Sequence, residues 1–480
     1  MTDLTTKTLA ELSQLFQSGE VKSREITEAF IKNIEARDSE INAFITTTFD
    51  EAREMADAAD ARFQNGELLS PLDGMPFALK DCICTKGIRT TSASKILDNF
   101  VPPYDATVWK KLKNAGVVLL GKLNTDEFTM GASTENSAYG VTRNPHDTSR
   151  VAGGSSGGPA AAIAANFCAG TIGTETGGSI RHPANFCGIS GLKVSYGRVS
   201  RYGTIPMASS LDTVGPMAKT AEDCAMIMDV IAGNDTLDST TLPDDDLNFS
   251  RDLEKSISGM KIGIPKEYLS DAISADVMTV FESAKKILED LGAEFVEISL
   301  PHTKYAIPVY YIIAPAEISA NMSRYDGVRF GKVAKDANNI EEIFSKSREK
   351  FLGDEVKRRI LIGTYVLSAG YADKFYKKAQ QVRTLIREDF SREFQRVDAI
   401  LAPVSPKPAF KVGEKTSDPL EMYLEDALLS PSCLTEHCGI AVPIGKSREN
   451  LPIGVQLICP AMQESRALRI AHQMEKVGNN

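Results

Sequence analysis

One tryptophan, five histidines and eight cysteines in 480 residues leave little of the side-chain chemistry from which metal centres and disulfide scaffolds are built. Only two cysteine groupings are close in sequence, Cys82-x-Cys84 and Cys433 with Cys438, the latter with His437 between them. Neither has the spacing of a zinc site, so buried, inert thiols are expected, and no metal in this chain. Positive charge is also short, with 54 Lys and Arg against 64 Asp and Glu for a formal charge of −10. That balance argues against a dominant phosphate-binding surface of the chain's own, although another subunit could supply one. No apolar run approaches the ~18–20 residues of a membrane span. The opening MTDLTTKTLAELSQLFQSGE has no apolar core and carries Asp3, Glu11 and Glu20, so it reads as neither signal nor transit peptide. A cytoplasmic enzyme or enzyme subunit, free of the membrane, is the expectation.

What is plentiful is apolar material, 42% of the residues, ample for a core. The length allows two or three domains, or one large α/β domain with an appendage. The first 65 residues look helical. Thr8 with Glu11 makes a capping box before Leu9, Leu12, Leu15 and Phe16. Ser23 is a candidate cap for a second helix, and Asn65-Gly66 closes an alanine-rich third. From Leu72 the texture changes to short apolar runs between glycines and prolines. Met75–Lys80 and Gly116–Gly121 read as strands, as do Met260–Pro265, Glu294–Leu300 and Ala399–Ala402. Helices are expected over 275–291 and around Tyr310 and Arg358. This alternation implies an α/β fold. We divide the chain into an N-terminal helical segment (1–70), a core (71–233), a polar connection (234–258) with Asp244-Asp245-Asp246, and a remainder (259–480).

Two loops rich in glycine and serine lie 24 residues apart, Gly153-Gly154-Ser155-Ser156-Gly157-Gly158 and Thr176-Gly177-Gly178-Ser179. Taken alone, each is an ordinary turn. The first also fits the nucleophile-elbow pattern around Ser155, but the preceding His146–Arg150 is polar and not strand-like. A helix should follow it, with Pro159 at its first position. It lacks the G-K-[ST] ending of a phosphate loop. The second loop could present successive N–H groups to a developing oxyanion, as acyl transfer requires. Two bases are open to a nucleophilic serine. His182 is close in sequence but has no evident orienting acid. Lys80 ends a strand, with Asp81 expected on the opposite face. A free lysine, with a pKa of about 10.4, is useless as a base at pH 7, but burial can lower it by roughly 3–5 units.

Lys80, then Ser155 in GGSSGG, then Ser179 in TGGSIR resembles the amidase signature family. The resemblance implies a single large α/β domain, a central mixed β-sheet covered by helices on both faces with the N-terminal helical segment packed against it. It implies a Ser-Ser-Lys triad with Ser179 as nucleophile, Ser155 as relay and Lys80 as base, and a cis peptide before Ser155. The N–H groups of Thr176, Gly177 and Gly178 would form most of the oxyanion hole. KLNTDEFTMGASTENSAYG, VSRYGTIPMASSLDTVGPM, SRYDGVRFG, EVKRRI and FYKKAQQVRTLI resemble, more narrowly, the A subunits of glutamyl-tRNA(Gln)/aspartyl-tRNA(Asn) amidotransferases. Those imply glutamine hydrolysis in a heterotrimer with subunits B and C. Ammonia would pass to the partner that amidates misacylated tRNA, ATP and Mg would act at the partner, and tRNA would be bound mainly there.

By the same resemblance, Arg359 would hold the substrate carboxylate, Asp426 the ammonium, and Tyr310 would line the pocket. By chemistry alone Arg358 is an equal candidate, and adjacent helical residues cannot both face inward. The sequence leaves the family pattern at Glu175, where aspartate is usual, at Pro159, where serine is usual, and at His182, where glutamine is common. It also leaves it at Ser432–Gly439, which replaces an apolar N-L-A-x-L-P pattern close behind Asp426. Three other readings compete. They are a stand-alone amidase of the same signature acting on small amides, an esterase with Ser155 as nucleophile and a downstream histidine, and a non-catalytic binder of anions.

Overall fold

In the computed structural model, residues 3–243 and 247–478 are described, so the acidic run Asp244-Asp245-Asp246 lies outside the described residues. Thirteen strands are found among the described residues: β1 (Phe44–Thr47), β2 (Pro76–Lys80), β3 (Val118–Leu123), β4 (Arg143–Asn144), β5 (Asp147–Val151), β6 (Gly170–Glu175), β7 (Ser190–Lys193), β8 (Thr213–Ala218), β9 (Lys261–Pro265), β10 (Glu294–Ile298), β11 (Ala399–Pro403), β12 (Cys438–Lys446) and β13 (Pro452–Cys459). Eleven of them form one sheet in the order β1-β3-β2-β6-β8-β7-β12-β13-β11-β9-β10. The pairs β2·β3, β2·β6, β9·β10 and β9·β11 are parallel, whereas β6·β8, β7·β8 and β12·β13 are antiparallel. The sheet is therefore mixed, as expected. Every residue of β2, β3, β6, β7, β8, β11 and β13 is buried. A strand buried on both alternating faces must be covered on both sides of the sheet, and helices supply that cover.

The N-terminal helices form as their signals imply. Thr8 caps the helix Leu9–Gln17 in a complete capping box with Glu11, and Gly66 ends the helix Phe49–Asn65 in the left-handed conformation at φ 70°. Four local expectations need correction. Phe44–Thr47, inside the stretch read as helical, is a strand, because aromatic and β-branched residues pair edge-on with β3. The second helix starts at Ser23 itself, its expected cap. Lys22 is the N-cap, and the Ser23 hydroxyl donates instead to Gly74 O at 2.7 Å. Asp147–Val151 is a strand despite its polarity, since its small hairpin with β4 stands apart from the main sheet and leaves its polar residues partly exposed. Pro159 occupies the third position of the helix Gly157–Ala164, where no intrahelical N–H bond is lost either. All eight cysteines are buried and unpaired. Among the described residues no helix is long and apolar enough to cross a membrane.

Candidate active site

Three neighbouring strands bring Lys80 to the two serine loops. Lys80 ends β2, which runs between β3 and β6, and β6 leads directly into the turn at residues 176–179. The lysine side chain is wholly buried. Its Nζ lies 2.8 Å from each of Ser155 Oγ, Ser156 Oγ and Thr174 Oγ1. Three hydroxyls thus match the three donors of an ammonium, and one of them, Ser155, can donate in return once the amine is neutral. Asp81 does not compete for Lys80: its carboxylate accepts from the Thr91 N–H and hydroxyl and lies 3.5 Å from Lys122 Nζ. Burial pulls the Lys80 pKa down to about 8, against the opposing pull of the Asp126, Asp212 and Glu175 carboxyl groups. At pH 7 about a tenth of such a lysine is neutral, which a solvated one never approaches.

The Gly154–Ser155 peptide is cis, as the resemblance implied. Around it, Ser155 O accepts from Thr125 Oγ1 at 2.8 Å, and Ser156 N donates to Ser179 O at 3.1 Å. That second bond locks the two serine loops together. The Ser179 hydroxyl makes no hydrogen bond among the described residues, and Ser179 keeps 9% exposure at the turn. Its glycine neighbours are needed for close approach rather than flexibility. A Cβ on Gly177 would sit 2.6 Å from Tyr310 Cζ, and one on Gly178 would sit 2.7 Å from Leu429 Cδ1 and 3.1 Å from Asp426 Oδ1. Bare backbone is what lets Tyr310 and Asp426 press against the serine turn. Thr176 is held from the side, its hydroxyl donating to Asp212 Oδ1 at 2.6 Å.

The remaining candidates come from two packed helices and a short turn. Tyr310 belongs to the helix Ala306–Met322, Arg359 to the helix Asp354–Leu367, and Asp426 to the turn Leu424–Asp426. The helix Asp354–Leu367 separates the two adjacent arginines: Arg359 is 3% exposed on the inner face, whereas the Arg358 side chain is 42% exposed. Arg359 Nε donates to Glu355 Oε1 at 2.8 Å, and its guanidinium lies 5.2 Å from the Tyr311 ring and 5.5 Å from the Tyr423 ring. It also lines a cavity of about 60 Å³ with Ser133, Glu355 and Tyr423. Asp426 accepts from the Tyr311 hydroxyl at 3.1 Å. Burial pushes its carboxyl up to about 6, with His182 and Arg359 pulling the other way. A fixed cation and a fixed anion thus stand on the Tyr310 side of the serine turn.

Sequence reading did not find Ser156, Thr174, Glu355, Tyr311 or Tyr423. Thr174 comes to Lys80 only through the pairing of β6 with β2, two strands far apart in the chain. The others likewise depend on long-range packing and left no local signal. No histidine serves the serines. His146, His182, His302, His437 and His472 contact Cys187 O, Glu425, Asp389, Thr435 and Glu254 respectively. Their absence from Ser155 removes the support for an esterase with a histidine base.

The amidase family profile matches residues 25–468. The A subunit of glutamyl-tRNA(Gln) amidotransferase from Geobacter metallireducens is 53% identical over 98% of this chain and 96% of its own length. The protein of the same name from Trichlorobacter lovleyi is 52% identical over 99% and 98%. The crystal structure of the Thermotoga maritima glutamyl-tRNA(Gln) amidotransferase A chain superposes with a TM-score of 0.83 at 39% identity, covering 99% of this chain and 96% of that one.

Proposed function

The chain belongs to the amidase family, and from that premise we propose that it hydrolyses glutamine as the ammonia-supplying subunit of a tRNA-dependent amidotransferase. The observation that carries the chemistry is the buried Lys80 amine, 2.8 Å from Ser155 Oγ. In its neutral form Lys80 takes the Ser155 proton while Ser155 takes that of Ser179. Ser179 Oγ then bonds to the side-chain carbonyl carbon of glutamine. Charge develops on the carbonyl oxygen, and the N–H groups of Thr176, Gly177 and Gly178 are the donors assigned to it. Collapse breaks the C–N bond, with the proton returning through Ser155 to the departing ammonia. Water then cleaves the γ-glutamyl ester on Ser179, regenerating the serine.

Glutamine differs from other amides in carrying an α-carboxylate and an α-ammonium, which call for one fixed cation and one fixed anion. Arg359 is assigned to the first and Asp426 to the second, with Tyr310 lining the pocket; Tyr311 touches both charged groups. The anion must be ionised to do this, and a bound ammonium would favour that state of Asp426. Relatives named as amidotransferase A subunits, at half identity over nearly the whole chain, support the tRNA setting. In that setting subunits B and C complete a heterotrimer in the cytoplasm. Ammonia passes to the partner that converts Glu-tRNA(Gln), Asp-tRNA(Asn) or both, using ATP and Mg held by the partner.

The test is turnover of glutamine, and of small amides such as propionamide, by the chain with and without its partner subunits and charged tRNA. Glutamine hydrolysis that rises with the partners and delivers nitrogen to tRNA is expected. Turnover of small amides in preference to glutamine would replace this reading with a stand-alone amidase. No turnover of either would leave a non-catalytic binder.

A further inference from the structure

Two adjacent buried acids, Asp126 and Glu127, join the Ser155 loop to the helix that carries Arg359. Asp126 serves the loop. Its N–H donates to Ser155 O at 3.3 Å, and its carboxylate accepts from Thr134 N at 2.9 Å and Asn136 N at 3.2 Å. A Cβ on Gly154 would sit 2.3 Å from Asp126 Oδ2, so the loop lies directly on this carboxylate. Glu127 serves the helix. Its Oε1 accepts from the Ser94 hydroxyl, and its Oε2 accepts from Gly353 N at 2.8 Å, across 226 residues of sequence. The next two residues, Phe128 and Thr129, have φ of 49° and 62°, a left-handed conformation that bulky and β-branched residues rarely adopt. Phe128 N donates to Ser92 O at 2.9 Å, and its ring lies 4.8 Å from that of Tyr325. A turn of this shape persists only where its surroundings fix it.

Gly353 is the N-cap of the helix Asp354–Leu367 and brings no side chain to the task. Val356, at the third helical position, cannot reach back to the N-cap N–H as a glutamate there would. Glu127 supplies that acceptor from outside the helix. At this end a cavity of about 360 Å³ interrupts the packing, lined by Glu127, Phe351, Gly353, Asp354 and Glu355 among others. Farther along, the helix is clamped. A Cβ on Gly363 would sit 1.8 Å from Pro315 O, in the helix that carries Tyr310. The helix is thus fixed at Gly363 and tied at Gly353, with Glu355 and Arg359 between the two points. Burial pushes the Glu127 carboxyl up to about 7, against its bonds from Ser94 and Gly353. Either protonation state keeps an acceptor oxygen for the Gly353 N–H.

We propose that Glu127 is a positioning residue for substrate selection: by tying Gly353 it sets where Arg359 stands relative to the serines, and so how tightly an α-carboxylate is held. Without the tie the first turn pivots about the Gly363 contact and takes Glu355 and Arg359 with it. The serines stay in place, because Asp126 rather than Glu127 holds their loop. The role therefore concerns the binding of an amino-acid amide and not the making of the bond. It rests on Arg359 being the residue that holds the carboxylate.

The test uses the full chain with its partner subunits. It reads kcat and KM for glutamine, and the rate at which phenylmethylsulfonyl fluoride, which has no carboxylate, labels Ser179. Glu127→Ala should raise KM about 10–100-fold while kcat and the labelling rate stay within about twofold of wild type. Glu127→Gln keeps an acceptor oxygen and should recover most of that rise. Gly353→Ala attacks the tie from the other side, since its Cβ would sit 2.3 Å from Glu127 Oε2. It should raise KM in the wild-type background and add nothing to Glu127→Ala. An unchanged KM in Glu127→Ala, equal falls in kcat and labelling, or additive effects of the two variants would overturn the proposal. Should Glu127→Ala not fold, Gly353→Ala decides alone, and a wild-type KM there refutes the tie. Arg359→Lys checks the premise: a wild-type KM in that variant means that the carboxylate assignment has failed. In that case, or if the wild-type complex turns over no glutamine, the tie is read from hydrogen exchange over residues 353–359. Glu127→Ala should quicken that exchange and Glu127→Gln should not, and unchanged exchange in Glu127→Ala would refute the tie itself.

Discussion

Lys80 shows how far residue types alone could lead. Its place at a strand end and the two serine loops were visible in sequence, and together they resembled a triad. That burial and three hydroxyls surround its amine was not, because Ser156 and Thr174 reach it from a loop and a strand distant in the chain. Arg358 and Arg359 illustrate the opposite limit: chemistry could not choose between them, and one helical step of rotation did. The Lys80 environment also fixes a pH dependence. A base with its pKa pulled down to about 8 is protonated, and inactive, below that value. kcat/KM for glutamine should therefore rise with pH and level off above about 8, reporting the free enzyme's base. Lys80→Ala should abolish this limb and cost at least about 100-fold in rate at pH 7.5, whereas His182→Gln should keep it. A rate that is flat across pH 6–9, or that survives loss of Lys80, would remove the lysine from the mechanism.

The helix Ala221–Ile231 and the C-terminal helix Glu464–Gly478 carry a second titrating contact, remote from the serines in the hydrogen-bond pattern. Glu475 accepts from Ala221 N at 2.8 Å and from Ser190 Oγ at 2.5 Å, so one helix caps the start of the other. Burial pushes its carboxyl up to about 7. A carboxyl raised on folding favours the protonated form, so its stabilisation is complete below about pH 4.5 and is lost as pH rises through about 7. The swing is about 3 kcal/mol. The melting temperature should fall between pH 5 and 8, and Glu475→Gln should flatten that fall. An unchanged slope in the variant would place the titration elsewhere. Elements like these were legible in part. The Thr8–Glu11 capping box and the Gly66 helix end are local signals and held. The strand β1 and the hairpin strand β5 are made by pairing with distant or separate partners, which no local propensity records.

The whole molecule joins β2, β6, two helices and the 424–433 segment around one serine turn, so the site exists only when the mixed sheet is complete. Its α/β class followed from the alternation of short strands and helices, whereas the order of strands, with β12 and β13 inserted between β7 and β11, could not be read from any local pattern. The resemblance supplied what periodicity lacked, because its motifs are spread across most of the chain. The proposed mechanism begins with one covalent bond, at Ser179, which can be read directly. A glutamine-derived electrophile is incubated with wild type, Ser179→Ala and Ser155→Ala, and the labelled peptide is mapped by mass spectrometry. Label on Ser179 in wild type, none in Ser179→Ala, and slow labelling still on Ser179 in Ser155→Ala is the expected result. Label on Ser155, or labelling undiminished without Ser179, would contradict it.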